Sequence, residues 1–191
     1  MKLLEEMILA KGEVYPGEIL KVDSFLNHQL DPMLYTEMGK EIARLFAADE
    51  ITKILTIEAS GIALALAVAQ EMQVPAVFAK KNKTKNLAGD IYTTVVQSYT
   101  HGIAYGVMVA KKFIQPQDKI LIVDDFLAKG AAMEGLISLV EQGGAQVVGC
   151  VAAIEKGFQD GGARLRERGY RVESLAIVES MSEHGLTFRE Q

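Results

Sequence analysis

The sequence predicts an α/β fold in which a mainly parallel, twisted sheet is covered by helices on both faces. Three observations carry this reading. Short unbroken apolar runs such as Lys53–Ile57 and Lys119–Val123 lack the alternation of a half-solvated strand, so both their faces are buried. Helical patterns separate these runs, and that order demands the crossovers of a parallel sheet. The chain of 191 residues is 49% hydrophobic and 24% charged, enough apolar material for one sizeable core. One domain spanning 1–191 is expected.

The elements follow in order. Leu3, Leu4, Met7 and Ile8 recur at helical spacing and predict a short amphipathic helix over 1–11. Gly12 and Pro16-Gly17 interrupt it, and Glu18–Val22 reads as a strand. Asp31 before Pro32 offers an N-cap carboxylate and a first-turn proline. Leu34, Met38, Ile42 and Leu45 continue one apolar face, so a helix is expected to about Asp49. Lys53–Ile57 is a strand, Gly61–Met72 a helix and Ala76–Ala79, after Pro75, another strand. Lys119–Val123, Gln146–Ile154 and Val172–Val178 complete the strands. A helix from about Gly130 to Gln142 and a helical turn over Ala163–Arg168 lie between them. Lys80–Gln115 breaks the rhythm: it opens polar and basic, then supplies two β-branched and aromatic runs, Ile91–Tyr99 and Ile103–Val109. These predict a long antiparallel hairpin, and such excursions in α/β domains often serve as lids.

Composition excludes several functions. The formal net charge of −5, from 20 Lys+Arg and 25 Asp+Glu, disfavours a nucleic-acid surface, which needs clustered positive charge. One cysteine makes no intramolecular disulfide, and Cys150 lies in an apolar run, where a packing role in a reducing compartment fits. Acid at Glu5 and Glu6 comes too early for a signal-peptide core, and no stretch approaches the ~20 apolar residues of a membrane span. A cytoplasmic protein is expected. His28, His101 and His184 are scattered without metal-ligand spacing, so no resident metal site is assigned.

The most informative stretch is Lys119–Ala132. A buried strand is expected to end in Asp124-Asp125, and a loop of small residues then opens a helix. Ligands of open parallel sheets sit beyond the carboxyl ends of the strands. Two carboxylates there can accept hydrogen bonds from a vicinal diol, and a helix N-terminus favours an anion. A diol beside a phosphate describes a ribose 5-phosphate, although acidic pairs also occur at metal sites and in plain surface loops. Neither a G-x-x-x-x-G-K-[ST] loop nor a G-x-G-x-x-G after a strand is present.

This run resembles the phosphoribosyl-diphosphate signature of the type I phosphoribosyltransferases. Leu20-Lys21-Val22-Asp23-Ser24-Phe25-Leu26-Asn27-His28-Gln29, Ile57-Glu58-Ala59-Ser60-Gly61-Ile62, Asp124–Ala128, Glu155-Lys156 and Gly169–Ala176 are similar to the bacterial subgroup that acts on xanthine. The resemblance covers nearly the whole chain. It implies the type I fold, with a flexible hairpin lid at about 80–115 and a small hood of about 1–30 plus a C-terminal part. It also implies transfer of phosphoribosyl from phosphoribosyl diphosphate to xanthine in purine salvage by a homodimer, with Mg²⁺ carried by the diphosphate.

Roles carry over position by position as what the resemblance implies. Ala128, Lys129, Gly130, Ala131 and Ala132 form the 5-phosphate loop, with Asp124 and Asp125 on the ribose hydroxyls. Lys129 stands where the family usually has a small polar residue, and its side chain either adds charge to the phosphate or turns to solvent. Ser60 and Gly61 contact pyrophosphate, although Ser60 equally suits an ordinary helix N-cap. Lys80 and Lys81, with Lys83 and Lys85 nearby, stabilise the leaving group, against the ordinary reading of a solvated basic surface. Leu20, Asn27 and Lys156 meet the purine, and Asp125 and Lys81 are the catalytic candidates. Guanine, hypoxanthine or adenine as the base stays open, as does a non-catalytic regulator that binds the same ligand. The regulator reading lacks a helix-turn-helix ahead of the ligand domain.

Overall fold

In the computed structural model of the chain, residues 1–81, 89–98, 103–182 and 185–190 are described. Helix α1 spans Lys2–Lys11 and buries Leu4 and Ile8. Strands β1 (Glu13–Tyr15) and β2 (Ile19–Lys21) form a small antiparallel hairpin around a turn with Gly17 at φ +85° and Glu18 at φ +61°. A π-helical turn, Asp23–Asn27, follows. Helix α2 (Pro32–Leu45) starts as its sequence dictates: the Asp31 carboxylate accepts from the Met33 and Leu34 amides, both at 3.1 Å. It stops four residues short of Asp49 and passes into a turn.

The central sheet contains β3 (Lys53–Ile57), β4 (Ala76–Ala79), β7 (Lys119–Leu127), β8 (Gln146–Lys156), β9 (Val172–Ser182) and β10 (Gly185–Phe188). Helix α3 (Gly61–Met72) links β3 to β4, α4 (Ala131–Gln142) links β7 to β8, and α5 (Gly161–Glu167) links β8 to β9. Strands β5 (Ile91–Ser98) and β6 (Ile103–Ala110) form a separate antiparallel hairpin. The sheet order is β10-β9-β8-β7-β3-β4, parallel throughout except for β10. Strands of three or four residues carry too little periodicity to register in sequence, so β1 and β10 lie outside the expected elements.

Alternation along β7 divides the core into two layers. Leu121 and Val123 face a cluster with Phe25, Ile42, Phe46 and Val68; Ile120 and Ile122 face one with Val107, Leu136 and Val140. Three strands run on past their apolar stretches: β7 to Leu127, β8 to Lys156 and β9 to Ser182. Asp124-Asp125 therefore lies inside the β7 ladder, with Asp124 opposite Ala152 of β8, rather than after the strand.

The β5–β6 hairpin is docked, not splayed. Val96, Val107 and Val109 are buried, and Gly135 of α4 leaves room for Val96, whose methyl would lie 2.4 Å from an added Cβ. Reciprocal backbone bonds of 2.8 and 2.9 Å between Lys80 and Met108 stitch β6 to the end of β4. The expected lid positions Lys83 and Lys85 lie outside the described residues, as do Tyr99, His101 and His184. Among the described residues, no helix is long and apolar enough to cross a membrane.

Candidate active site

Parallel strands deliver their carboxyl ends to one edge, and the sequence-derived candidates gather there. Glu58-Ala59-Ser60-Gly61 follows β3, Lys80-Lys81 follows β4, Ala128–Gly130 follows β7 and Lys156 ends β8. A cavity of about 510 Å³ opens at this edge. One wall is the loop Ala128–Ala132, and the other includes Lys156, Gln159 and the hood turn Gly17–Ile19. Tyr105, Val96 and Gln97 of the hairpin contribute a third side.

The loop before α4 presents mainly backbone to the cavity. Gly130 occupies φ +78°, a conformation that L side chains rarely adopt, and immediately precedes α4. The amides of the first turn of a helix lack intrahelical acceptors, so this loop presents donors and the positive end of the α4 dipole. Small residues at Ala128, Gly130, Ala131 and Ala132 leave those donors accessible.

The paired acids have different neighbours because they alternate along a strand, although their carboxylates also interact with each other. Asp124 faces Gly61 and Lys81, while Asp125 faces the hood, where Asn27 Nδ2 donates to its Oδ2 at 3.3 Å. Both are nearly buried, at 5% and 7% exposure. Burial pushes the Asp124 carboxyl well above the usual carboxylate range, the adjoining Asp125 charge adds to this, and the Lys81 charge opposes it. Asp124 also accepts the Asp125 backbone amide at 3.0 Å. A cation or a positively charging sugar beside this pair would stabilise its ionised form.

The segment after β3 packs without slack. The Glu58–Ala59 peptide is cis. A Cβ on Gly61 would fall 2.1 Å from Thr56 Oγ1 and 3.0 Å from Asp124 Oδ1, so glycine is required. The Thr56 hydroxyl is buried there without a hydrogen-bond partner. Ser60 holds the position before α3, yet its hydroxyl makes no capping bond, which removes the plain N-cap role. Glu58 accepts the Lys81 amide at 2.7 Å, and Lys81 Nζ lies 5.4 Å from the Tyr105 ring centroid.

Lys80 and Lys81 separate for the same reason as the acids. Lys80 turns toward the sheet edge, its Nζ 5.9 Å from the Phe78 ring, in a groove shared with Met108 and Phe113. At the opposite wall of the cavity, Lys156 Nζ donates to the Glu18 carbonyl at 2.6 Å, and burial lowers its pKa, opposed by the Glu18 charge. Leu20 packs in the core at 7% exposure and does not line the cavity; its neighbour Ile19 does. Asn27 is delivered by the π-helical turn to Asp125 rather than to the cavity wall.

Gln159 and Arg166 carried no sequence signal of their own. Gln159 donates to Glu18 Oε2 at 2.7 Å and lines the cavity with it. Glu155, just before Lys156, is buried and paired with Arg166 at 2.8 Å through both oxygens. The Gly161-Gly162 doublet was the available clue, since two glycines opening a helix mark a close approach. Among the described residues no group of three or more His, Cys, Asp or Glu is placed to hold a metal ion.

Comparison with known proteins agrees with this geometry. The profile of the phosphoribosyl transferase domain matches residues 21–187. A xanthine phosphoribosyltransferase of Lachnoclostridium phytofermentans is 55% identical over 182 residues, covering 95% of this chain and 94% of that protein. One from Ruminiclostridium cellulolyticum is 53% identical over 190 residues, covering 100% of both. The crystal structure of an adenine phosphoribosyltransferase from Rhodothermus marinus shares the fold at a TM-score of 0.73 and 24% identity, covering 93% of this chain and 100% of that one. The chain belongs to the phosphoribosyltransferase family.

Proposed function

We propose that this protein transfers the 5-phosphoribosyl group of phosphoribosyl diphosphate to xanthine, forming XMP and pyrophosphate. The observation that carries the reading is the single cavity with an anion loop, Ala128–Ala132, on one wall and Lys156 with the hood turn on another. That spacing suits a phosphorylated sugar bridging to a planar base. The relatives of about 50% identity support xanthine as the base.

In this reading the 5-phosphate takes the backbone donors of Ala128, Lys129, Gly130, Ala131 and Ala132. Asp124 and Asp125 hold the ribose, and their charge favours the positive character that develops at C1 as its bond to pyrophosphate breaks and a purine nitrogen bonds there. Ser60, Gly61 and Lys81, with the backbone rather than the ammonium of Lys80, receive the diphosphate, which brings Mg²⁺ as part of the substrate. Lys81, facing Asp124, stabilises the leaving group, and Asp125 accepts the purine proton. Lys156 addresses the base edge, Asn27 donates to the Asp125 carboxylate behind it, and Leu20 supports the hood strand. Xanthine is more acidic than guanine, so the Lys156 ammonium favours it. One catalytic domain over 1–191 acting as a cytoplasmic homodimer, with the 80–115 segment as lid and 1–30 plus the C-terminal part as hood, completes the proposal. Pyrophosphate release is measured with phosphoribosyl diphosphate and each purine in turn. Fastest release with xanthine is expected; no release with any base refutes the enzyme, and fastest release with guanine, hypoxanthine or adenine refutes the substrate.

A further inference from the structure

In a trans peptide unit the carbonyl and the following amide point in opposite directions. Whatever fastens the carbonyls of an anion loop on one side aims its amides to the other. Two consecutive carbonyls of this loop are fastened by α5. The Gly161 amide donates to the Ala128 carbonyl at 3.2 Å, and Arg164 Nη2 donates to the Lys129 carbonyl at 2.7 Å. The amides of those same peptide units belong to Lys129 and Gly130, and they point away from these donors. The approach is backbone against backbone: a Cβ on Gly161 would lie 2.3 Å from the Ala128 oxygen and 2.6 Å from the Gly130 nitrogen. Arg164 is in turn oriented by Asp160 Oδ2 at 3.0 Å and by Glu134 Oε1 at 3.2 Å, Glu134 lying in the first turn of α4. One guanidinium thus ties the loop to both helices that flank it, a task for a planar fork of donors.

We propose that Arg164 is a positioning residue for the 5-phosphate: it holds the Lys129 carbonyl so that the Gly130 amide faces the ligand. The proposal rests on the phosphoribosyl reading of the cavity. It makes no contact between Arg164 and the reacting atoms necessary. Arg164 is 39% exposed, and its ion pairs are of the surface kind, so its removal leaves the fold intact.

The test compares Arg164→Ala, Arg164→Lys and wild type by calorimetry and steady-state kinetics. Ribose 5-phosphate, which needs the loop, is expected to bind Arg164→Ala about tenfold more weakly, while inorganic pyrophosphate, which uses the Ser60–Gly61 side, binds as to wild type. The KM for phosphoribosyl diphosphate rises by a similar factor, with kcat and the KM for xanthine within about twofold. Arg164→Lys recovers only part of the loss, and sub-denaturing guanidinium ion restores Arg164→Ala where equal sodium chloride does not. Full recovery with lysine would mean that charge alone acts, and overturns the proposal. So does equal weakening of ribose 5-phosphate and pyrophosphate, or of neither. If wild type binds ribose 5-phosphate yet releases no pyrophosphate with any purine, the catalytic reading falls, and the two binding constants still decide the role of Arg164.

Discussion

Arg166 makes a sharp target because its partner cannot reach water. Glu155 is 2% exposed, and its carboxylate receives two parallel bonds of 2.8 Å from Arg166 and one of 2.5 Å from the Ser174 hydroxyl. Burial alone would push the Glu155 carboxyl up; the Arg166 and Ser174 bonds outweigh it, and the group titrates below the usual range. Arg166→Met removes the guanidinium and leaves a buried carboxylate with one hydroxyl. Breaking a fully buried pair this way costs about 3–5 kcal/mol, but the Arg166 side chain is 36% exposed, so water reaches the gap and roughly 2 kcal/mol is expected. For a chain of this length that lowers Tm by about 4–8 °C at neutral pH.

The pH dependence has a definite sign. In wild type the folded pKa is depressed, so the stabilisation is present above the unfolded value of about 4.3 and is lost as pH falls through the folded pKa. In Arg166→Met the folded pKa rises above that value, and stability instead declines as pH climbs from acid. The gap in Tm between the two proteins, followed by circular dichroism, should therefore be widest near pH 7 and shrink toward pH 5. Adding Glu155→Gln to Arg166→Met should recover most of the loss at pH 7. Tm within about 1 °C of wild type at pH 7, or a gap that widens in acid, would refute the reasoning.

Four further outcomes follow from the site. Gly130→Ala forces a side chain into φ +78° and sets its Cβ 3.2 Å from Gly161 Cα, a penalty of roughly 1–2 kcal/mol; the KM for phosphoribosyl diphosphate should rise about tenfold, and an unchanged KM would remove the loop from phosphate binding. Lys156→Ala should lower the ratio of kcat/KM for xanthine over guanine about tenfold; an unaltered ratio contradicts its role in base choice. Asp125→Asn should reduce kcat far more than affinity for phosphoribosyl diphosphate, whereas equal losses make Asp125 a binding group alone. Burial pushes the Cys150 thiol up to about 12; mass spectrometry after iodoacetamide at about pH 8 should find it unmodified in the native protein and fully modified in denaturant.

Where local chemistry alone determines an element, the sequence was sufficient. Lys53–Ile57, Gly61–Met72 and Ala76–Ala79 fall at their expected bounds because each is a dense apolar run flanked by glycine, proline or polar residues. Strand ends depart from the apolar runs where hydrogen-bonded neighbours rather than hydrophobicity set them. β7 continues through Asp124 and Asp125 because β8 is beside it, and alternation along the strand gives the two acids different neighbours. The same alternation parts Lys80 from Lys81, and no local pattern announces which lysine meets the acids. The loop Ala128–Gly130 leading into α4 was legible because small residues and a glycine before a helix are a local signature. Its brace was not: Arg164 reaches Lys129 from 35 residues away, through a crossover helix of seven residues. The hood contact between Lys156 and Glu18 spans 138 residues and is equally silent in one dimension.

Competition for one limiting substrate tests the central claim most directly. Xanthine, guanine, hypoxanthine and adenine at equal concentration are incubated with the protein, Mg²⁺ and limiting phosphoribosyl diphosphate, and the nucleotides are separated by chromatography. Their proportions give the relative kcat/KM values in a single vessel. XMP should dominate, matched by pyrophosphate mole for mole. Predominance of GMP, IMP or AMP, or an absence of any nucleotide, would contradict the account.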